Sequence, residues 1–143
     1  MQFIQSTHQP EIDGVSDNVR YLPDEGALAA WRVRRVLAYI ESNLSGVILV
    51  TALARIACMS ASGFHRGFRA RFGLTPHMYI TLKRVEFAQV LMSTTNDPLS
   101  QISTACGMTD QAHLTRVFRR LTGKTPGRWR TGVRRNPEAR LMR

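Results

Sequence analysis

The sequence predicts an all-α protein: two helix-turn-helix subdomains of homeodomain-like type joined by a long central helix. Three observations carry this prediction. First, the chain repeats itself at an offset of 50 residues, with Arg66, Phe68, Arg69, Gly73, Thr75, Pro76 and Tyr79 returning as Arg116, Phe118, Arg119, Gly123, Thr125, Pro126 and Trp129. A period of this size marks one supersecondary unit built twice. Second, apolar residues recur at helical spacing along most of the chain, and residues 47–50 form the one β-like run. Third, each copy carries the same Gly-x-Thr-Pro punctuation. Glycine ends one helix, and threonine followed by proline caps and opens the next.

Each element is justified in turn. Residues 1–26 are polar and acidic and are interrupted by Pro10, Gly14, Pro23 and Gly26, which reads as a mobile leader. A helix over about 27–42 follows, with Leu28, Trp31, Val36, Leu37, Tyr39 and Ile40 on an apolar face and Arg32, Arg34 and Arg35 largely outside it. Asn43 and Gly46 stop it. A short helix over about 50–57 points Leu49 or Val50, Leu53 and Ile56 inward, and Cys58-Met59 makes the turn. Ser60 caps a helix over about 61–71, in which Phe64 and Phe68 lie four apart on one face. Gly73 ends it, and Thr75-Pro76 opens the longest helix, over about 76–93, with Tyr79, Ile80, Leu82 or Lys83, Phe87, Val90 and Leu91 at helical spacing.

Asn96-Asp97-Pro98 breaks the chain and starts the second copy. Its helices run over about 99–106, with Leu99, Ile102 and Ala105 inward, and about 110–121, with Leu114 and Phe118 inward. Gly107 makes the turn between them. Gly123 then stops the chain, Thr125-Pro126 starts a last helix carrying Trp129, and the basic tail from Arg134 is expected to fray. The expected divisions are a leader (1–26), a first subdomain (27–74), a linker helix (75–94), a second subdomain (95–131) and a basic tail (132–143). Before the turns the two copies match at an offset of 49, after them at 50. The second turn is therefore one residue longer, so the two reader helices need not present identical faces.

Charge points to a polyanion. The 143 residues carry a net charge of +10, unevenly spread. Residues 1–46 hold 4 cations against 6 anions, and residues 47–143 hold 16 against 4. The repeated region is thus the basic one. Eighteen of the 20 cations are arginine, whose planar fork fits phosphate and guanine edges.

Other classes fall away. Two cysteines, Cys58 and Cys106, make neither a disulfide framework nor a zinc set. Both lie in apolar helical patterns, which predicts buried free thiols in a reducing cytoplasm. The N-terminus has no basic region followed by an apolar core, and no apolar run is long enough to span a bilayer. No paired acids, Ser/His/Asp set or phosphate-cradling glycine loop supports an enzyme, so no catalytic residue, metal ligand or cofactor is assigned. A methyl-accepting thiol fails as well, since that chemistry needs an activated thiolate.

Each copy reads helix, tight turn, helix, with the second helix amphipathic and arginine-rich. A major groove admits one helix, and an exposed helix face is what brings side chains to base edges. On these residues the chain resembles the DNA-binding domain of AraC-type transcriptional regulators. The resemblance covers about residues 30–130. It is most specific in LSQISTACGMTDQAHLTRVFRRLTGKTPGRW (residues 99–129), is carried on in the YITLKRVEFA segment (79–88), and is looser in LARIACMSASGFHRGFRARFGLTP (53–76).

The resemblance implies a reader of double-stranded DNA with two recognition helices in successive major grooves. Carried over by position, Ala61, Ser62, His65 and Arg66 face bases in the first unit, and Asp110, Gln111, Ala112, Thr115 and Arg116 in the second. Arg66 and Arg116 suit guanine, and Gln111 adenine. Arg69, Arg119 and Arg120 suit phosphates. Arg84, mid-linker, is expected to brace the two halves through Glu86 or another acid. Cys58 stands where the family usually has a turn glycine, so that turn adopts another conformation or carries strain. Gly63 and Gly67 weaken the first reader helix, so the second unit is expected to carry more of the specificity.

The expected activity is transcriptional regulation in the cytoplasm, at the nucleoid, by a chain acting on DNA as a monomer rather than an obligate dimer. The face around Trp31 and Tyr39 is read as core, with RNA polymerase the candidate partner for any part left open. The alternative is a sensor-less regulator acting as antagonist or inert DNA-binding fragment, since about 30 residues precede the domain.

Overall fold

Sequence punctuation and observed helix ends agree closely. The computed structural model describes residues 28–140, so the expected leader over 1–26 lies outside the described residues. Seven α-helices follow in order: α1 (Ala30–Ser42), α2 (Val50–Ile56), α3 (Ala61–Phe72), α4 (Pro76–Thr94), α5 (Leu99–Ala105), α6 (Gln111–Thr122) and α7 (Pro126–Arg135). No strand occurs among the described residues, and residues 47–49 form a loop. The tail is more ordered than expected up to Arg140. Helix α7 runs through Arg135, and Pro137–Arg140 adds one 3-10 turn.

The caps explain the starts. Ser60 Oγ accepts from the Gly63 amide at 3.1 Å, and Asp110 Oδ1 from the His113 amide at 2.7 Å. Thr75 and Thr125 cap α4 and α7 in the same way, each followed by proline. Such caps are worth about 1 kcal/mol each. Helices α3 and α6 end at Gly73 and Gly123, both with a left-handed backbone (φ 70° and 76°). A residue with a β-carbon would be strained there.

Two cores form, and the helices divide between them. The first gathers Val36, Ile40, Leu53, Ala57, Phe64, Phe68 and Ile80; the second gathers Val85, Ala88, Met92, Ile102, Cys106, Leu114 and Phe118. The repeat extends to ring geometry. Phe68 meets Tyr79 edge-on at 5.4 Å and 79°, and Phe118 meets Trp129 edge-on at 5.9 Å and 75°. These are attractive arrangements for paired quadrupoles.

Helix α4 closes the first unit and opens the second. Its Ile80 belongs to the first core, and its Val85, Ala88 and Met92 to the second. Val85 lies five positions after Ile80, which is about 140° around a helix. A single apolar stripe therefore does not describe α4. Val90, expected inward, is 55% exposed, while Thr81 and Val85 are buried.

Other expectations are corrected in the same way. In α5 the buried positions are Ile102 and Ser103, and Leu99 and Ala105 are half-buried, because the seven-residue helix meets α4 and α6 along one edge. Leu49 is exposed in front of α2. Trp31 is 39% exposed rather than core, with the Arg32 and Arg35 guanidinium groups 5.2 and 6.0 Å from its ring centre. Cys106 is buried as expected, but Cys58 is exposed. The turn holding it puts its side chain outside the apolar rhythm of α2.

Candidate nucleic-acid interface

The candidate surface is built on α3 and α6. Each packs one face inward, Phe64, Gly67 and Phe68 in α3 and Leu114, Val117 and Phe118 in α6. That packing dictates what the opposite face shows. Ala61, Ser62, His65, Arg66 and Arg69 are exposed on α3, and Gln111, Ala112, Arg116, Arg119 and Arg120 on α6, with Thr115 half-buried. The extra residue of the second turn is taken up within residues 106–110, ahead of α6. Position for position at the offset of 50, the two reader helices then expose the same face.

Asp110 is engaged differently from its neighbours. Its carboxylate accepts from the His113 amide as the cap of α6, while His113 Nδ1 accepts from the Thr109 amide at 3.3 Å. The two bonds close the helix start from both sides, as a capping box does. They fix the first turn of α6, which carries Gln111 and Ala112.

Electrostatically the surface is open. Lys83 and Glu86 form an ion pair at 2.9 Å on α4, and among the described residues no acid pairs with the arginines of α3 or α6. Unpaired guanidinium groups on an exposed helix face are what an anionic partner would meet. The described residues hold no group of three or more His, Cys, Asp or Glu side chains able to grip a metal, and no helix long and apolar enough to cross a membrane.

Arg84 does brace the structure, but not through an acid. Glu86 is taken by Lys83. Arg84 instead donates from Nε to the Leu44 carbonyl at 3.1 Å and from a terminal nitrogen to the Gly46 carbonyl at 2.6 Å. Burial lowers its pKa from the usual arginine range. The second unit repeats this clamp. Arg134 donates to the Thr95 carbonyl at 3.1 Å and to Asn96 Oδ1 at 2.7 Å, and Arg130 to the Asp97 carbonyl at 2.8 Å. Sequence reasoning placed Arg134 in a frayed tail. The signal that finds it is its distance of 50 residues from Arg84.

Two amphipathic reader helices, each held against a shorter helix by a tight turn and both anchored to one shared helix, define a protein with two helix-turn-helix units. A family model described as a helix-turn-helix domain matches residues 53–132. The chain belongs to this family, in its AraC-type branch. It is 36% identical over 96 residues to a protein of Photobacterium leiognathi named "Probable transcriptional regulator LumQ", covering 67% of this chain and 39% of that protein. It is 30% identical over 102 residues to the arabinose operon regulatory protein of Escherichia coli K12, covering 71% of this chain and 35% of that one. It thus spans well under half the length of either relative. Among solved structures, the DNA-binding domain of AdpA, crystallised with a target DNA, superposes with a TM-score of 0.69 at 31% identity, over 75% of this chain and 97% of that one.

Proposed function

We propose that this chain is a sequence-specific double-stranded DNA-binding transcriptional regulator whose two units place α3 and α6 in successive major-groove segments. The observation that carries the reading is the matched, unpaired face at Arg66/Arg69 and Arg116/Arg119, repeated on two capped helices. The AdpA domain, similar over most of its length, was solved on DNA. In this reading Ala61, Ser62, His65, Arg66, Gln111, Ala112, Thr115 and Arg116 face bases, and Arg69, Arg119 and Arg120 hold phosphates. Asp110, spent on its cap, positions Gln111 and limits the approach of phosphate. Gln111 gives the second unit more hydrogen-bonding reach than its counterpart Ala61 gives the first, and no glycine weakens α6. Specificity is therefore weighted toward α6.

The same reading has the chain acting on DNA as a monomer, in the cytoplasm at the nucleoid. RNA polymerase is the candidate partner at the open Trp31 face. The test is selection of bound duplexes from a random pool, followed by footprinting. The expected result is one asymmetric site with two protected major-groove segments on one face. Equal affinity for all duplexes at moderate salt would sink the proposal.

A further inference from the structure

The two units also touch outside the body of α4. There the loop between α1 and α2 meets the turn between α5 and α6. Gly107, in that turn, has φ 69°, and a β-carbon built on it would lie 2.3 Å from the Leu44 carbonyl and 3.0 Å from the Arg84 guanidinium. Only a glycine can bring the second unit's turn this close to the first unit's loop. Arg84 stands between the two, holding Leu44 and Gly46 by their carbonyls. It lies on α4 between Ile80, the last residue seated in the first core, and Val85, the first seated in the second.

We infer that Arg84, Gly107 and the Leu44 and Gly46 carbonyls form a keyed joint that fixes the two reader helices relative to one another and so sets the number of base pairs permitted between their half-sites. This rests on the two-groove reading above. Helix α4 alone supplies a rod. A rod fixes distance, but twist and bending about it are resisted by side contacts. The joint supplies one off the helix axis, with both carbonyls captured by a single planar group. Lysine cannot reproduce it, since a point charge on a flexible stem does not fork onto two fixed acceptors. Arg134 is the internal comparison. It grips the corresponding loop within the second unit, at Thr95 and Asn96, and so lies outside the joint.

The test uses the full chain and its selected site, together with duplexes carrying one base pair more or fewer between the half-sites. Each base pair moves the second half-site by about 3.4 Å and turns it by roughly 35°. Wild type is expected to lose about tenfold or more in affinity on either change, as for a poor base match. Arg84→Ala and Arg84→Lys are expected to flatten that loss to less than about threefold on the same scale. Arg134→Ala, which removes a clamp but not the joint, keeps the wild-type dependence. Gly107→Ala, which drives a methyl into Leu44, is expected to move or flatten the optimum, and serves if Arg84→Ala does not fold.

Folded Arg84 variants with wild-type spacing dependence would overturn the joint, as would a wild type indifferent to spacing. If the joint fails this way while selection still yields one site, the DNA-reading proposal stands. If selection yields no site, both fall.

Discussion

Cys58 and Gly107 occupy the same place in the two turns and share a left-handed backbone, with φ 52° and 69°. The first turn therefore takes the same conformation as the glycine turn of the second unit and carries the strain, rather than adopting another shape. A left-handed backbone costs a residue with a β-carbon roughly 1–2 kcal/mol, and the exposed thiol gains little in return.

Cys58→Gly is accordingly expected to stabilise the protein by about 1 kcal/mol and to raise its melting temperature by several degrees. Gly107→Ala goes the other way by a larger amount, because the new methyl meets the Leu44 carbonyl as well as the strained φ. Thermal melts of the two variants beside wild type decide this. A Cys58→Gly melt at or below wild type contradicts the strain argument.

Arg116→Ala is expected to weaken binding to the selected site by about 1–3 kcal/mol and to relax selection at one base position. Arg66→Ala has the same direction in the other half-site. Competition against single-base variants measures both. Uniform weakening on every sequence would reassign these residues to phosphates.

Removing phosphate contacts has a different signature. Arg119→Ala and Arg120→Ala should each reduce the slope of log affinity against log salt by about 1 and lower affinity evenly across sequences. Arg69→Ala is the first-unit counterpart. Titrations at several salt concentrations separate these effects from those at Arg116.

The two thiols should part company. Cys58 is exposed and should react with an alkylating reagent in the native protein; burial pushes the Cys106 thiol from an ordinary 9.0 up to about 11. As pH rises from about 9 toward 11, the unfolded chain sheds this proton and the folded one keeps it. The stability it supplies is thus complete below about pH 9 and declines through that window. Urea unfolding at both ends of the window should show a steeper decline for wild type than for Cys106→Ala. Native labelling of both cysteines at equal rates would refute the burial argument.

Local signals in the sequence were faithful to the fold. The caps at Ser60, Thr75 and Thr125, the glycine stops and the inward Phe64, Phe68 and Phe118 could all be read because each depends on its own few neighbours. What the sequence hid depends on tertiary context. The inward residues of α4 follow two directions, so one stripe misplaced Val90 and missed Val85. Arg84 was marked as a brace, but its partners are carbonyls some 40 residues away, and a carbonyl leaves no mark in a sequence. On the reader helices the outward positions came from the family resemblance, and all of them but the half-buried Thr115 are exposed. The cap made by Asp110 was missed, because one side chain can face out and still cap.

Because α4 belongs to both cores, its length cannot change without cost to the fold. Inserting one residue between Ile80 and Val85 would turn the second unit by about 100° and carry it about 1.5 Å along the axis, breaking its register with the first. Intermediate lengths therefore offer no gradual route to a new site. A lineage built on this helix would diversify by exchanging side chains on α3 and α6, while the span between them is inherited unchanged.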